Sequence, residues 1–518
     1  MDAIVILDFG GQTAQLIGRR IRDLGVYSEI LPGTTPLSEV TALPGLEVRG
    51  LVLSGSPASV YEPDAPAPDP ALFESQLPIL GICYGLQQMV HNAGGRVARA
   101  TAREYGRAAV RYTSDHPLFA SVPEGFRSWM SHGDHVVDVP ARARVVAESE
   151  HGVPAAIAFG ADRVGIQFHP EVTHCEYGDR ILENFAVAIA GAARGWSLEG
   201  YIDEASERIR ATVADEPVLL LISGGVDSTV VGALLLHALD PEQVHLMYVD
   251  TGLMRKDESD EVAASLRRLG AKHLDLIDAG DEFLSALAGV DDPERKREII
   301  GDLFITVQQR EIARRITGDY FLAQGTLYTD MIESGGGVGK YAHVIKSHHN
   351  VRSPLVAAKR EEGRVVEPLS RLYKDEVRTL GSLLNVAPEI IGRHPFPGPG
   401  LAVRILGEVT PEKCRILREA DAIYMDELRT RGLYDEIWQA FSVLLPIRSV
   451  GVTGDTRHYG YVLALRAVHS SDGMTADVYP FSADDLLAIS ARITNRVPEV
   501  GRVVYDVSSK PPATIEWE

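Results

Sequence analysis

Short apolar runs closed by Gly or Pro recur through the first third of the chain: Ile4–Leu7, Leu51–Leu53, Ile79–Ile82 and Val164–Phe168. Runs this short, bounded by turn formers, read as strands buried on both faces. Helical periodicity fills some of the gaps, at Thr13–Leu24 and Gly85–Ala93. The alternation predicts a layered α/β domain. Residues 57–70 hold five prolines, which predicts an irregular surface loop.

A second block follows the small, polar stretch around Gly191–Gly200. Val218–Ile222 is continuously apolar and leads through Ser223-Gly224-Gly225-Val226-Asp227-Ser228 into a helix at Thr229–Leu239. Further strands are expected at Val244–Val249, His273–Ile277 and Tyr320–Ala323, again a doubly wound pattern. A third block opens on His394-Pro395-Phe396-Pro397-Gly398-Pro399-Gly400, which suits neither a helix interior nor a central strand. After it come a helix at Pro411–Thr430, strands at Ser442–Gly451 and Gly460–Val468, a helix near Ala483–Thr494 and a strand at Arg502–Val507, an α+β order. The expected architecture is therefore α/β: two doubly wound α/β domains, residues 1–195 and 196–393, and a C-terminal α+β domain, residues 394–518.

Length and composition agree with several ordinary folded domains. The chain has 518 residues, 45% hydrophobic and 24% charged, which excludes a disordered or fibrous chain. A net charge of −21 argues against broad nucleic-acid binding, because such a field repels phosphate backbones. Three cysteines, Cys83, Cys175 and Cys414, lie too far apart in sequence to suggest a disulfide framework. The N-terminus lacks a basic leader, and no apolar run has the length of a membrane span. The expected setting is the cytoplasm, with no membrane or nucleic-acid partner.

Cys83 follows a strand and opens a helix, flanked by Gly81 and Gly85. That is the geometry of a nucleophile elbow with Cys in place of Ser. A helix N-terminus favours the thiolate. An isolated cysteine more often packs as a small hydrophobe, but a partner exists. His169-Pro170-Glu171 ends the strand Val164–Phe168, and residues i and i+2 of an extended segment face the same way. Cysteine, histidine and carboxylate are the groups covalent acyl transfer requires.

Here the chain resembles the class I glutamine amidotransferases, through Asp8-Phe9-Gly10-Gly11-Gln12, Leu53-Ser54-Gly55-Ser56-Pro57, Cys83-Tyr84-Gly85-Leu86-Gln87, Ser131-His132-Gly133-Asp134 and His169-Pro170-Glu171. The resemblance implies Cys83 as nucleophile, His169 as base and Glu171 as its orienter. It implies an oxyanion hole from Tyr84 and the Gly55-Ser56 turn, and glutamine contacts from Gln87, Ser131, His132, Gly133 and Asp134. The family usually has Gly-Gly-Pro where this chain has Gly55-Ser56-Pro57. A positive φ at Ser56 would carry strain of about 1–3 kcal/mol and suggest a hole assembled only on closure.

The loop Ser223–Ser228 joins a strand to a helix, and its N–H groups converge on an anion site. Asp227 beside a phosphate requires a neutralising cation, read here as nucleotide-bound Mg²⁺. No Lys follows the loop as a Walker A sequence demands. The loop resembles that of the ATP-pyrophosphatases, which split ATP into AMP and pyrophosphate. ATP contacts are accordingly expected from Ser223, Gly224, Gly225, Val226, Asp227 and Ser228, with Asp250 and Gly325 at neighbouring strand ends, and Asp227 serving the metal.

The segments 342–351, 393–401 and 509–518 extend the likeness to glutamine-hydrolysing GMP synthases. That resemblance implies amination of XMP through an adenyl-XMP intermediate, with glutamine, ATP and XMP as substrates, Mg²⁺ as cofactor and a homodimer. It places Arg297, Gln439, Arg502, Lys510, Ile515 and Glu516 around XMP, and Asp330, Glu333 and Lys346 at the adenylation centre and its lid. Two departures flank the lid: Arg352-Ser353 where glycines are usual, and Tyr328-Thr329 where Tyr-Pro is commoner. A glutamine-dependent NAD synthetase, or a catalytically silent nucleotide-binding regulator, are the competing readings.

Overall fold

The computed structural model describes residues 1–334, 354–453, 456–470 and 475–518. Internal contacts divide the chain into two compact units. The first holds Met1–Tyr201 together with the segment that begins at Tyr328; the second holds Ile202–Leu327 and the C-terminal part of the chain.

The first unit carries nine strands: β1 (Asp2–Asp8), β2 (Tyr27–Pro32), β3 (Glu47–Leu53), β4 (Ile79–Ile82), β5 (Arg96–Tyr112), β6 (Gly125–Asp138), β7 (Arg144–Ser149), β8 (Pro154–Ala158) and β9 (Arg163–Ile166). They form one sheet in the order β2-β1-β3-β4-β9-β8-β7-β5-β6. β2, β1, β3, β4 and β9 run parallel, and the apolar runs Ala3–Leu7, Leu51–Leu53 and Ile79–Ile82 of the inner strands are buried on both faces, as such strands require. The rest of the sheet is antiparallel. The chain leaves β1 in opposite directions to reach β2 and β3, so a switch point lies at the C-terminal ends of β1 and β3, where an open α/β sheet leaves a crevice. The helix Tyr328–Ser334 belongs to this unit. Tyr328 Oη accepts a 2.5 Å bond from the Ile30 N–H on the edge strand β2, and Arg22 lies over the Tyr328 ring.

The second unit contains two sheets. β10 (Val218–Ile222), β11 (Val244–Asp250), β12 (His273–Asp278), β13 (Phe321–Ala323) and β14 (Val365–Val366) are parallel in the order β12-β11-β10-β13-β14. The order reverses at β10, which puts the switch point on the loop that follows it. β15 (Gln439–Thr453), β16 (Thr456–His469), β17 (Asp477–Val478) and β18 (Val500–Tyr505) form a mixed sheet. The helix Pro411–Thr430 packs on it, begun by Thr410, whose hydroxyl accepts from the Lys413 N–H, and by Pro411 at the first helical position. One hydrophobic cluster runs from Leu219 and Met247 through Leu401 and Tyr424 to Leu463, so both sheets of this unit share a core.

Candidate functional site

In the first unit the strand-to-turn-to-helix geometry around Cys83 is steep. Cys83 has φ 54° and ψ −103°, a strained conformation for a residue with a side chain. A Cβ on Gly85 would lie 2.2 Å from the Leu53 carbonyl oxygen, and one on Gly81 2.6 Å from Gly85 itself. Only glycines allow the turn to close this tightly. The Cys83 N–H donates to Ile166 C=O, and the Gly85 N–H to Ser54 C=O, which ties the elbow to β9 and β3.

His169 and Glu171 follow β9. His169 Nδ1 lies 2.7 Å from Glu171 Oε1, and its backbone N–H donates to Trp129 C=O on β6. A Cβ built on Gly55 would sit 3.5 Å from His169 Cε1 and 4.0 Å from Cys83 Cβ, so the imidazole and the cysteine converge on one spot. Burial alone would depress the His169 pKa. The Glu171 charge and the hydrogen bond to Cys83 outweigh it and raise the pKa well above the ordinary 6.5. Glu171 is fully buried, and its second oxygen, Oε2, has no hydrogen-bond partner among the described residues.

A cleft of about 1280 Å³ opens here, lined among others by Gly10, Gly55, Ser56, Cys83, His132 and His169. Ser131, His132, Gly133 and Asp134 lie on β6, whose burial alternates residue by residue. Asp134 accepts from Ser59 Oγ at 2.5 Å and from Tyr61 Oη at 3.0 Å. Gln87 Nε2 donates to the Asp134 carbonyl at 3.2 Å and faces Gln167 Oε1 at 3.4 Å. Ser56 is not among the described residues with positive φ, so the strain expected there is absent; its hydroxyl instead accepts from the Ala58 N–H.

In the second unit, the loop after β10 turns on Gly224, φ 79°. Ser223 Oγ and Ser228 Oγ are 3.0 Å apart, and the Ser223 N–H donates to Ser228 Oγ. Ser228 and Thr229 hydroxyls donate to Gly225 C=O. Gly325, after β13, lies against Asp227: an added Cβ would be 3.5 Å from Asp227 Cβ. Asp250 closes its own turn, accepting from the Gly252 N–H and Ser259 Oγ. Lys374, which sequence reasoning missed, places Nζ 2.6 Å from both Asp227 oxygens. An ammonium thus stands against the carboxylate that was expected to face a cation. Asp227 and the two serine hydroxyls are oxygen donors of the kind Mg²⁺ takes, one carboxylate being usual where phosphates supply the rest.

Of the residues expected around XMP, Gln439 Nε2 donates to Glu516 Oε1 at 2.7 Å, and Arg404 forms a two-point pair with the same carboxylate. Arg404 is fully buried and stacks on Phe441 and Phe396, another feature the sequence did not single out. Ile515 packs in the small cluster of Phe441 and Val443. Arg297 reaches the Glu518 carbonyl oxygen. Lys510 pairs through its backbone with Ala476. Arg502 instead contacts Ser449, and no described contact joins it to Gln439 or Glu516. Asp330 and Glu333 lie on the helix Tyr328–Ser334, within the first unit, although the Glu333 side chain is not among those described. Lys346, His348, His349, Arg352 and Ser353 lie outside the described residues.

Residues 5–189 match the sequence profile of class I glutamine amidotransferases, the class that the elbow and the Cys-His-Glu arrangement define. Residues 203–296 match the asparagine synthase profile, and 426–517 that of the GMP synthase C-terminal domain. Over its whole length the chain is 49% identical to the GMP synthase [glutamine-hydrolyzing] of Aquifex aeolicus (99% of each chain) and 50% identical to that of Symbiobacterium thermophilum (100% of this chain, 99% of the other). The protein of the same name from Geobacillus kaustophilus is also 50% identical, with the same coverage. The chain belongs to the glutamine-hydrolysing GMP synthase family.

Proposed function

We propose that this protein converts XMP to GMP, with glutamine as nitrogen donor and ATP cleaved to AMP and pyrophosphate. The observation that carries the reading is the end-to-end family membership; the two sites supply a chemical route. In the first unit, the Cys83 sulfur attacks the glutamine carboxamide carbon. The C–N bond breaks as His169 gives its proton to the leaving nitrogen, and ammonia departs. His169 then takes a proton from water, which attacks the thioester and releases glutamate and the cysteine. Glu171 holds the imidazole in orientation and steadies its positive form. Backbone N–H groups at Tyr84 and the Gly55-Ser56 turn would receive the developing oxyanion.

In the second unit, the Ser223–Ser228 loop grips the departing pyrophosphate of ATP while the XMP O2 bonds to the α-phosphorus. Ammonia then bonds to C2, AMP leaves with the former O2, and a proton is released. Lys374 steadies charge on the polyphosphate beside Asp227. A nucleotide-borne Mg²⁺ shared by Asp227 and the serine hydroxyls would supply further charge neutralisation. Gln439, Glu516 and the C-terminal segment recognise XMP. The deamido-NAD reading is disfavoured by the match at 426–517.

A homodimer and a cytoplasmic setting belong to the same proposal. Val450, Val452 and, directly opposite Val450, Tyr459 are 49%, 75% and 58% exposed on one face of the β15–β16 ribbon, a surface suited to a second copy. Among the described residues no helix is long and apolar enough to cross a membrane, and all three cysteines are free. A screen with ATP, Mg²⁺ and ammonium tests the acceptor: AMP release with XMP and none with deamido-NAD is expected, and the converse would overturn the reading.

A further inference from the structure

Gln167 is neither nucleophile nor base, yet it is 1% exposed and its amide touches the reacting sulfur. It stands between β9 and His169, on the segment that delivers the base. Gln167 Nε2 is 3.5 Å from Cys83 Sγ, an ordinary N–H···S separation. Which end of a glutamine amide faces a sulfur matters. Nitrogen donates to a thiolate, whereas oxygen repels it and favours the thiol.

The neighbours decide the orientation. The Asp134 backbone carbonyl can only accept, so the Gln87 amide must present nitrogen to it, at 3.2 Å. The same Gln87 nitrogen lies 3.4 Å from the Gln167 amide, which therefore presents its oxygen there. The nitrogen of Gln167 is left for the sulfur. Each amide fixes the next, from a backbone carbonyl on β6 to the nucleophile.

We propose that Gln167 is a positioning residue of the glutaminase. Its amide N–H holds the Cys83 sulfur as the acceptor and so favours the thiolate that His169 creates, with Gln87 and the Asp134 carbonyl locking the amide in that sense. The inference rests on the reading of Cys83 as nucleophile. It also gives Gln87 a structural duty, since its NH₂ group is directed at protein acceptors. A donated hydrogen bond is stronger to a charged acceptor than to a neutral one, so it acts on the thiol–thiolate balance more than on folding.

The other groups facing the sulfur are the His169 imidazole, with Glu171 behind it, and the Ser131 carbonyl, 3.9 Å away. Glu62, Arg99 and Asp134 line the same cleft. The same charged side chains are present in wild type and in each variant, so the comparison reads the loss of the Gln167 amide and of its hold on Gln87.

The test uses the full chain with Gln167→Met, which keeps volume and removes the donor, and Gln167→Glu, which keeps shape and offers oxygen. The rate at which iodoacetamide abolishes glutamine-dependent glutamate release is followed against pH. The expected result is a midpoint about one pH unit higher in Gln167→Met, a tenfold loss of thiolate below it, and a larger rise in Gln167→Glu. kcat for glutamine hydrolysis falls in step while KM moves little. Circular dichroism and the thermal midpoint of the isolated full chain, matched to wild type, report that each variant has folded, and either variant alone suffices. Coincident midpoints in wild type and a folded variant overturn the role of Gln167 while leaving the functional reading intact. Wild-type protein that releases no glutamate overturns both.

Discussion

Lys374 Nζ lies 2.6 Å from both carboxylate oxygens of Asp227, although 147 residues separate the two along the chain. Lys374 is the first residue of the helix Lys374–Leu383, and Asp227 sits in the first turn of the helix that follows β10. The pair sets a lysine beside the anion-binding loop, a position that a Walker A sequence fills from within its own motif. Lys374→Met should therefore lower ammonium-dependent GMP formation by roughly 100- to 1,000-fold, the range seen when one donor to a developing charge is lost. Lys374→Arg should recover only part, since a planar fork is not a point charge. Steady-state rates at saturating ammonium decide; an unchanged kcat would remove Lys374 from the site.

Asp227→Ala should stop synthesis with ammonium and with glutamine alike, because both nitrogen sources meet the same activated nucleotide. Pyrophosphate release measured with each donor is the check. Full ammonium-dependent turnover in this variant would refute a role for Asp227 beside the polyphosphate.

Cys83→Ala should behave differently. Glutamine-dependent synthesis should fall by at least roughly 1,000-fold, as for loss of a covalent nucleophile. Ammonium-dependent synthesis should stay within about twofold, because the second unit needs only free ammonia. Parallel loss of both activities would contradict two separate sites.

The pairing of His169 with Glu171 should carry a pH signature. A histidine whose pKa is raised in the folded state adds stability that is complete below its ordinary pKa, near 6.5, and is lost as pH rises through the raised value. Each unit of elevation corresponds to about 1.4 kcal/mol. Thermal midpoints of wild type and Glu171→Gln should differ most at about pH 6 and converge on the alkaline side. A gap that stays constant or widens with pH would show that the imidazolium is not what Glu171 supports.

If the proposed dimer forms through this ribbon, wild type should sediment as two chains and Val452→Asp as one in sedimentation equilibrium. The change places a charge on the 75% exposed apolar position at the tip of the β15–β16 ribbon, where a partner would have to bury it. An unaltered mass would exclude this face as the interface.

The parts of the fold that were legible in the sequence are those whose cause is local. Val218–Ile222 and Ile79–Ile82 are strands with the expected bounds, because an apolar run between turn formers leaves little choice. The helix Pro411–Thr430 is also as expected, fixed by a threonine cap and a proline that can only begin it. Cys83 was visible because the apolar run before it, the helix after it and the glycines Gly81 and Gly85 that the close turn needs are all local features. What escaped depends on distant partners. Lys374, Arg404 and Gln167 look like any lysine, arginine or strand glutamine until the fold brings them to Asp227, Glu516 and Cys83. The long hairpin of β5 and β6 escaped because Arg96–Tyr112 is rich in arginine and alanine and lacks a clear two-residue alternation. The association of Tyr328–Ser334 with the first unit has no local signal, since the contact that carries it is the Tyr328 hydroxyl on Ile30, 298 residues away.

Nitrogen from a glutamine side chain should end on a nucleotide made reactive by AMP transfer. Purified protein supplied with XMP, ATP, Mg²⁺ and glutamine labelled with ¹⁵N in the amide tests it most directly, with nucleotides resolved by mass spectrometry. GMP bearing one ¹⁵N, formed together with equal amounts of AMP, pyrophosphate and glutamate, is the predicted result. Formation of ADP and phosphate instead, or glutamate release with no label in the purine, would contradict it.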